Sequence, residues 1–232
     1  MSFYDHYADQ QGTAAGTWLA RAMARRTFRA CRPFLGGEGA ALLEIGPGAG
    51  ELADEIRAAG FRNYSAIEPN QRIRERLAAR GYSVRDGLVP PLDTPDAALD
   101  ALLLSHVFEH MDGTRGAMAF LHEARRALRP GGLVVIASPD YLHWGADFFH
   151  GDYTHANLVT VRRLTQMFRD SGFETAFSTH TSGPFGEPLA TPLSLAAGTA
   201  LRWSRGQDNR SRWYKLKTTF LRSVLVVGRR RP

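Results

Sequence analysis

The chain has 232 residues with a single cysteine, Cys31, which excludes an internal disulfide and favours a reducing compartment. It contains neither an apolar run near the roughly 18 residues that a membrane span needs nor the basic start of a signal peptide. The net charge is +6, and residues 202–232 hold ten of the 29 Lys and Arg residues beside one acid. We therefore expect a cytoplasmic protein with one well-packed domain and a basic C-terminal segment.

The first predicted element is a helical cap over residues 1–35. Apolar residues recur at helical spacing around Trp18, Met23 and Phe28, and a glycine-rich segment at 36–39 ends the pattern.

A strand, a glycine-rich loop and a helix follow. Leu42–Ile45 is a short apolar run, Gly46–Gly50 contains three glycines, and a helix is predicted over 51–59. The next strand ends at Glu68, whose carboxylate is placed to accept hydrogen bonds from ribose hydroxyls. This order predicts a nucleoside-binding site.

The glycine spacing distinguishes two classes of ligand. Dinucleotide enzymes use G-x-G-x-x-G, in which a helix N-terminus meets a pyrophosphate. Here the spacing is Gly46-x-Gly48-x-Gly50, and Glu44 precedes it, where its negative charge would repel phosphate and suit an amino group. The pattern therefore favours S-adenosylmethionine, which has an α-amino group and no phosphate, over a nicotinamide dinucleotide.

Helical and strand patterns alternate along the rest of the chain, as is typical of a parallel sheet with helices on both faces. Helices are predicted near 70–80, 114–128, 160–171 and 193–203, strands are predicted at 100–105, 173–181 and 221–229, and 139–159 is predicted to be rich in loops. Because Gly46, Glu68, Asp86 and Ser105 all fall where strands end, we expect them to converge on one cleft.

Four motifs, in order over residues 42–136, resemble those of class I S-adenosylmethionine-dependent methyltransferases. They are the glycine loop, Tyr82–Gly87, the SHVFEH segment at 105–110, and the LRPGG turn at 128–132. The resemblance implies a Rossmann-like, seven-stranded, mostly parallel sheet with an antiparallel seventh strand. It also implies S-adenosylmethionine as cofactor, bound by nine residues: Glu44, Gly46, Gly48, Gly50, Glu68, Asp86, Gly87, Ser105 and His106.

Within that resemblance, each part of the cofactor has its own predicted contacts. Glu44 and the glycine loop would face the methionine portion, Glu68 the ribose, and Asp86 with Gly87 the adenine. Ser105 and His106 would form the floor beneath the sulfonium. We divide the single domain 1–232 into four parts: a cap (1–35), a cofactor-binding half (36–138), a substrate side with a lid insertion (139–215), and the last strand with a basic tail (216–232).

Methylation of a hydroxyl requires a base, and the candidates are His106, His110, His143, His150 and His155. Of these, His150 and His155 are the predicted catalytic residues. Asp152–His155 resembles a connection found in many members of the family, for which a hydrogen-bonded turn is the alternative interpretation. A metal site formed with Asp147 and Asp152 is a further alternative, although we expect no metal.

Three functions remain open. The favoured one is methyl transfer to a small-molecule or saccharide acceptor, by O-methylation. An RNA methyltransferase that uses the basic C-terminal segment is a disfavoured alternative, as is a non-catalytic cofactor-binding protein of the same fold. The sequence does not indicate an oligomeric state.

Overall fold

The computed structural model describes residues 14–202 and 211–232, which form a mixed α/β fold. Eight helices lie in these ranges: α1 (Ala14–Cys31), α2 (Glu51–Ala58), α3 (Gln71–Ala79), α4 (Gly113–Ala127), α5 (Tyr141–Gly151), α6 (Val161–Asp170), α7 (Ala190–Ala200) and α8 (Arg212–Phe220). Eight strands accompany them: β1 (Leu42–Ile45), β2 (Tyr64–Ile67), β3 (Ser83–Arg85), β4 (Leu99–Ser105), β5 (Leu128–Pro139), β6 (Phe173–Ser182), β7 (Phe185–Gly186) and β8 (Ser223–Arg230).

The strands form one sheet in the order β3-β2-β1-β4-β5-β8-β6-β7. The first five strands pair in parallel, and β8 lies antiparallel between β5 and β6. The sheet of the described residues therefore has eight strands, and the predicted count of seven was wrong. The additional strand is β7, a two-residue hairpin partner of β6. The antiparallel strand expected as the seventh is β8, the eighth in chain order.

Two helical predictions were also corrected. Residues 139–159, predicted to be rich in loops, contain α5, whose first turn is capped where Asp140 accepts a hydrogen bond from the Leu142 N–H at 3.3 Å. A break at Gly145, with φ 74°, interrupts the periodicity by which a helix is recognised. The second correction is α8, which lies in the segment treated as insertion and tail and begins after an N-cap at Ser211.

The core has one layer on each side of the sheet because successive strand residues face opposite sides. On one side, Leu102 and Ile136 pack with Phe120 of α4 and Phe168 of α6. On the other side, strand residues pack against α1 and α2; they include Leu103, Val135 and Leu225. Among the described residues, no helix is both long and apolar enough to cross a bilayer.

Candidate functional site

A cleft lies at the carboxyl ends of β1 and β4, where an α/β sheet is expected to bind its ligand. Five residues predicted to bind the cofactor line it: Glu44, Gly46, Gly48, Ser105 and His106. Helix α1 covers the cleft with four side chains at helical spacing: Ala20, Met23, Ala24 and Thr27. Small residues at the ends of β5, β6 and β8 form the far wall: Ala137, Thr181, Gly183 and Ser223.

The glycine loop has left-handed backbone geometry, with φ of 65° at Gly46, 55° at Gly48 and 87° at Gly50. A Cβ at Gly46 would lie 2.6 Å from Val107 Cγ2, and one at Gly50 would lie 2.6 Å from Leu77 Cδ2. Gly48 is different, because a Cβ there would meet no protein atom within 4 Å. Packing therefore requires glycine at the outer two positions, whereas Gly48 borders open space in the cleft.

Glu44 is a buried carboxylate, and Tyr64 Oη donates a hydrogen bond to its Oε2 at 2.6 Å. Burial raises the pKa of Glu44 to about 7, although the bond from Tyr64 lowers it. A cationic group entering the cleft would favour the ionised form of this carboxylate. The site thus fits the α-amino group of S-adenosylmethionine.

Glu68 lies beside the glycine loop, as its position after β2 predicted. Its Oε1 accepts a hydrogen bond from the Asn70 N–H at 2.9 Å. Burial raises the pKa of Glu68, and hydrogen bonds from the Asn70 and Gly48 N–H groups act in the opposite direction. A carboxylate therefore adjoins the loop, where a ribose would require a hydrogen-bond acceptor.

Asp86 and Gly87 follow β3 at the same edge of the sheet. Arg74 Nη1 contacts Asp86 Oδ1 at 2.8 Å and also donates to the Glu68 carbonyl oxygen at 2.9 Å. The Asp86 side chain is largely exposed, and a Cβ at Gly87 would lie 3.1 Å from Ile67 Cγ2. The contacts of Asp86 and Gly87 with adenine stay predictions.

His106 has a left-handed backbone, with φ of 56°, directly after β4. Its Nδ1 lies 3.6 Å from Glu109 Oε1, and Ser138 Oγ donates to Glu109 Oε2 at 2.9 Å. Burial raises the pKa of Glu109, but His106, His110 and a backbone hydrogen bond together outweigh burial, and the net effect is a lowered pKa. The buried, ionised carboxylate of Glu109 therefore lies beside His106, a residue that lines the cleft.

The two predicted catalytic histidines lie elsewhere. The His155 ring stacks on Phe148 with 4.4 Å between centroids, its Nδ1 lies 3.3 Å from the Phe148 carbonyl oxygen, and its side chain is 6% exposed. His150 is exposed near the end of α5. Neither histidine is among the residues that line the cleft.

Hydrogen bonds organise the segment around His155 as a turn. Thr154 Oγ1 donates to Asp152 Oδ1 at 2.6 Å and contacts His110 Nδ1 at 2.9 Å. Over the described part of the chain, no three His, Cys, Asp or Glu side chains are grouped to hold a metal ion. The catalytic roles of His150 and His155 stay predictions.

A buried polar network on the substrate side was missed from the sequence. Arg222 Nε donates to Asp140 Oδ2 at 2.9 Å, and Asp140 is 1% exposed. His180 Nε2 lies 3.7 Å from the same oxygen, and Ser194 of α7 accepts from the Arg222 N–H at 2.8 Å. Asp140 and Arg222 are 82 residues apart, so no local pattern could have revealed the pair.

Several basic residues of the C-terminal segment are engaged in contacts within the chain. Arg222 belongs to the buried network, Arg229 lies 3.5 Å from Glu174, Arg230 donates to the Leu128 carbonyl oxygen, and Lys217 is buried. These contacts reduce the basic surface that an RNA could use. Residues 203–210, including Trp203, lie outside the described residues.

The chain is similar to known methyltransferases in sequence and in fold. Residues 15–176 match a methyltransferase domain family. A probable S-adenosylmethionine-dependent methyltransferase of Mycolicibacterium smegmatis is 28% identical over 137 residues, which are 57% of this chain and 51% of that protein. The chain thus spans about half the length of this relative.

Two further similarities cover more of the chain. A ubiquinone biosynthesis O-methyltransferase of Parvibaculum lavamentivorans is 27% identical over 192 residues, which are 75% of this chain and 72% of that protein. A chain from the complex of the Haloferax volcanii Trm112 methyltransferase activator with a methyltransferase superposes with a TM-score of 0.69 and 17% identity, covering 100% of this chain and 99% of that one. At that identity the superposition shows the fold alone.

Proposed function

The chain belongs to the class I S-adenosylmethionine-dependent methyltransferase family, and from this premise we propose that it methylates a hydroxyl of a small-molecule or saccharide acceptor. S-adenosylmethionine, when bound, supplies a methyl group on a sulfonium that is already an activated leaving group. The protein then has three tasks: to hold the cofactor, to align the acceptor, and to exclude water.

The buried Glu44 carboxylate in the cleft is the observation that carries the cofactor part of this proposal. Burial makes its ionised form costly, and a ligand ammonium is the partner that would offset the cost. Glu68 would hold the ribose hydroxyls beside Gly48, and Ser105 and His106 would form the floor. Apolar side chains of α1, including Met23, would exclude water from this side of the cleft.

The far wall of the cleft supports a hydroxyl-bearing acceptor. Thr181 and Ser223 provide hydroxyl groups there, and Gly183 and Ala137 leave space between them. Hydroxyl side chains both donate and accept hydrogen bonds, which suits an alcohol or a saccharide. The O-methyltransferase named among the relatives agrees with this chemistry, although that likeness is an analogy.

The acceptor's proton needs a base, and His150 and His155 are the sequence-predicted candidates. An acceptor-dependent assay of His150→Ala and His155→Ala tests them directly. Full turnover with unchanged cofactor affinity in one variant would eliminate that histidine as the base.

Calorimetry with S-adenosylmethionine, S-adenosylhomocysteine and NAD tests the central proposal. We expect both sulfur nucleosides to bind and NAD to show no heat of binding. Radiolabelled methyl transfer is then measured against catechol and a panel of nucleotide sugars. Binding of NAD in place of S-adenosylmethionine would overturn the proposal.

A further inference from the structure

His106 occupies the cleft in a strained conformation. A non-glycine residue held at φ 56° costs on the order of 1–3 kcal/mol and persists only where its surroundings fix it. Here the His106 N–H donates to the Ala137 carbonyl oxygen at 2.9 Å, which holds the turn onto β5. His106, whose imidazole is partly exposed, is one of the residues that line the cleft where the cofactor would bind. Strain of this kind clusters at functional sites.

The buried carboxylate of Glu109 lies beside the His106 imidazole. Glu109 is 1% exposed and lies 3.6 Å from His106 Nδ1, while the buried Ser138 hydroxyl donates to its other oxygen at 2.9 Å. Ser138 therefore fixes the carboxylate, and the remaining oxygen faces Nδ1. A carboxylate at one ring nitrogen favours the proton there and leaves the other nitrogen as an acceptor. Such contacts are often long in ligand-free enzymes and tighten when the complex forms.

We propose that His106 is the base that accepts the proton of the acceptor hydroxyl, and that Glu109 is the positioning residue that sets its tautomer. This inference rests on the proposed hydroxyl methylation. His106 Nε2 takes the proton while the acceptor oxygen bonds to the methyl carbon, and the electron pair of the broken carbon–sulfur bond stays on sulfur. The products are the methyl ether, a neutral thioether and an imidazolium, which returns its proton to solvent.

His106 was one of five candidate histidines in the sequence, and its position in the structure favours it over His150 and His155. The His155 imidazole is packed between Phe148 and His110, with ring centroids 4.4 and 4.7 Å away. Among the histidines that the structure describes, His106 is the one that lines the cleft beside Glu44 and Ser105.

The first test needs no acceptor. Ring nitrogen-15 spectra of histidine-labelled protein at pH 8 report the tautomer, and the His106 signals are identified by their absence in His106→Asn. We expect the Nδ1-protonated tautomer in the wild type and a shift toward the Nε2-protonated form in Glu109→Met, which removes the acceptor at similar size. An Nε2-protonated His106 in the wild type would overturn the inference, and this result does not depend on the folding of Glu109→Met.

The second test compares two acceptors. Catechol must lose a proton before methylation, whereas 4-nitrothiophenol is already ionised at pH 8. With catechol, we expect His106→Asn to lose at least about 100-fold in kcat, the lower range for general-base catalysis. With the thiolate, which needs no base, we expect the loss in His106→Asn to be at least about tenfold smaller than with catechol. His122→Asn, on the exposed surface of α4, is the matched control.

The outcomes separate this inference from the proposed function. Equal losses with both acceptors, or a loss with catechol in His155→Asn and not in His106→Asn, would overturn the base assignment and leave methyl transfer intact. Absence of S-adenosylmethionine binding by the wild type would overturn the proposed function. Even in that case, the measured tautomer of His106 would show whether Glu109 orients its ring.

Discussion

Replacement of Glu44 by glutamine gives the sharpest test of the cofactor site. The side chain keeps its size and remains able to interact with Tyr64, but it loses the charge that would meet the ligand ammonium. A hydrogen bond to a charged group contributes about 1.5–3 kcal/mol, so we expect S-adenosylhomocysteine to bind roughly 10- to 150-fold more weakly at pH 7.5.

The pH dependence adds a quantitative signature. In the free protein the pKa of Glu44 is about 7, and the carboxyl is about three-quarters ionised at pH 7.5 and about 3% ionised at pH 5.5. A bound ammonium favours the ionised form, so affinity is highest above the free pKa and falls as the pH decreases through it. Wild-type affinity should therefore fall roughly 25-fold between pH 7.5 and 5.5, whereas Glu44→Gln should vary little.

Calorimetry in buffers of different ionisation enthalpy measures both effects. At pH 6.5, half a unit below the free pKa, wild-type binding should release about three-quarters of a proton, and Glu44→Gln should release almost none. Glu174→Gln, a surface variant that removes a pairing with Arg229, should keep the wild-type slope. Wild-type affinity that does not change over this pH range, or a variant that binds as tightly as the wild type, would refute the role given to Glu44.

Three further predictions concern folding and stability. Gly48→Ala should fold with about 1–2 kcal/mol lower free energy of unfolding in urea, from left-handed strain alone. Gly46→Ala should lose more because its Cβ would overlap a valine; equal losses would contradict the packing argument. Arg222→Met removes the guanidinium that pairs with the buried Asp140 carboxylate and should cost about 3–5 kcal/mol, against less than about 1 kcal/mol for Arg229→Gln at an exposed pair. Finally, the pKa of Glu44 is raised on folding, so the free energy of unfolding of the wild type should fall relative to that of Glu44→Gln as the pH rises. The expected fall is roughly 3 kcal/mol between pH 4.5 and 8, and thermal melts across that range would detect it.

The sequence alone determined the cofactor half of the protein. The apolar run of β1, the glycine loop and the start of α2 are consecutive in the chain, so their residue types report their geometry directly. Gly46, Glu68, Asp86 and Ser105 were predicted to converge on one cleft because parallel strands end at the same edge. Gly46 and Ser105 line the cleft, whereas neither Glu68, which adjoins Gly48, nor Asp86 is among the lining residues.

The elements and side-chain pairs of the substrate half became visible only in the tertiary structure. Helix α5 is interrupted by a glycine, and β7 exists only as a hairpin partner of β6, so neither leaves a periodic signal. The pair of Asp140 and Arg222 joins residues far apart in the chain, and burial makes the loss of either partner costly. The choice among the candidate histidines also depended on tertiary structure, because the sequence does not show which of them lies at the cleft. The structure places His106 there, beside the buried carboxylate of Glu109, and places His150 and His155 elsewhere. Sequence spacing reports local geometry, whereas burial and long-range pairing depend on how the whole chain packs.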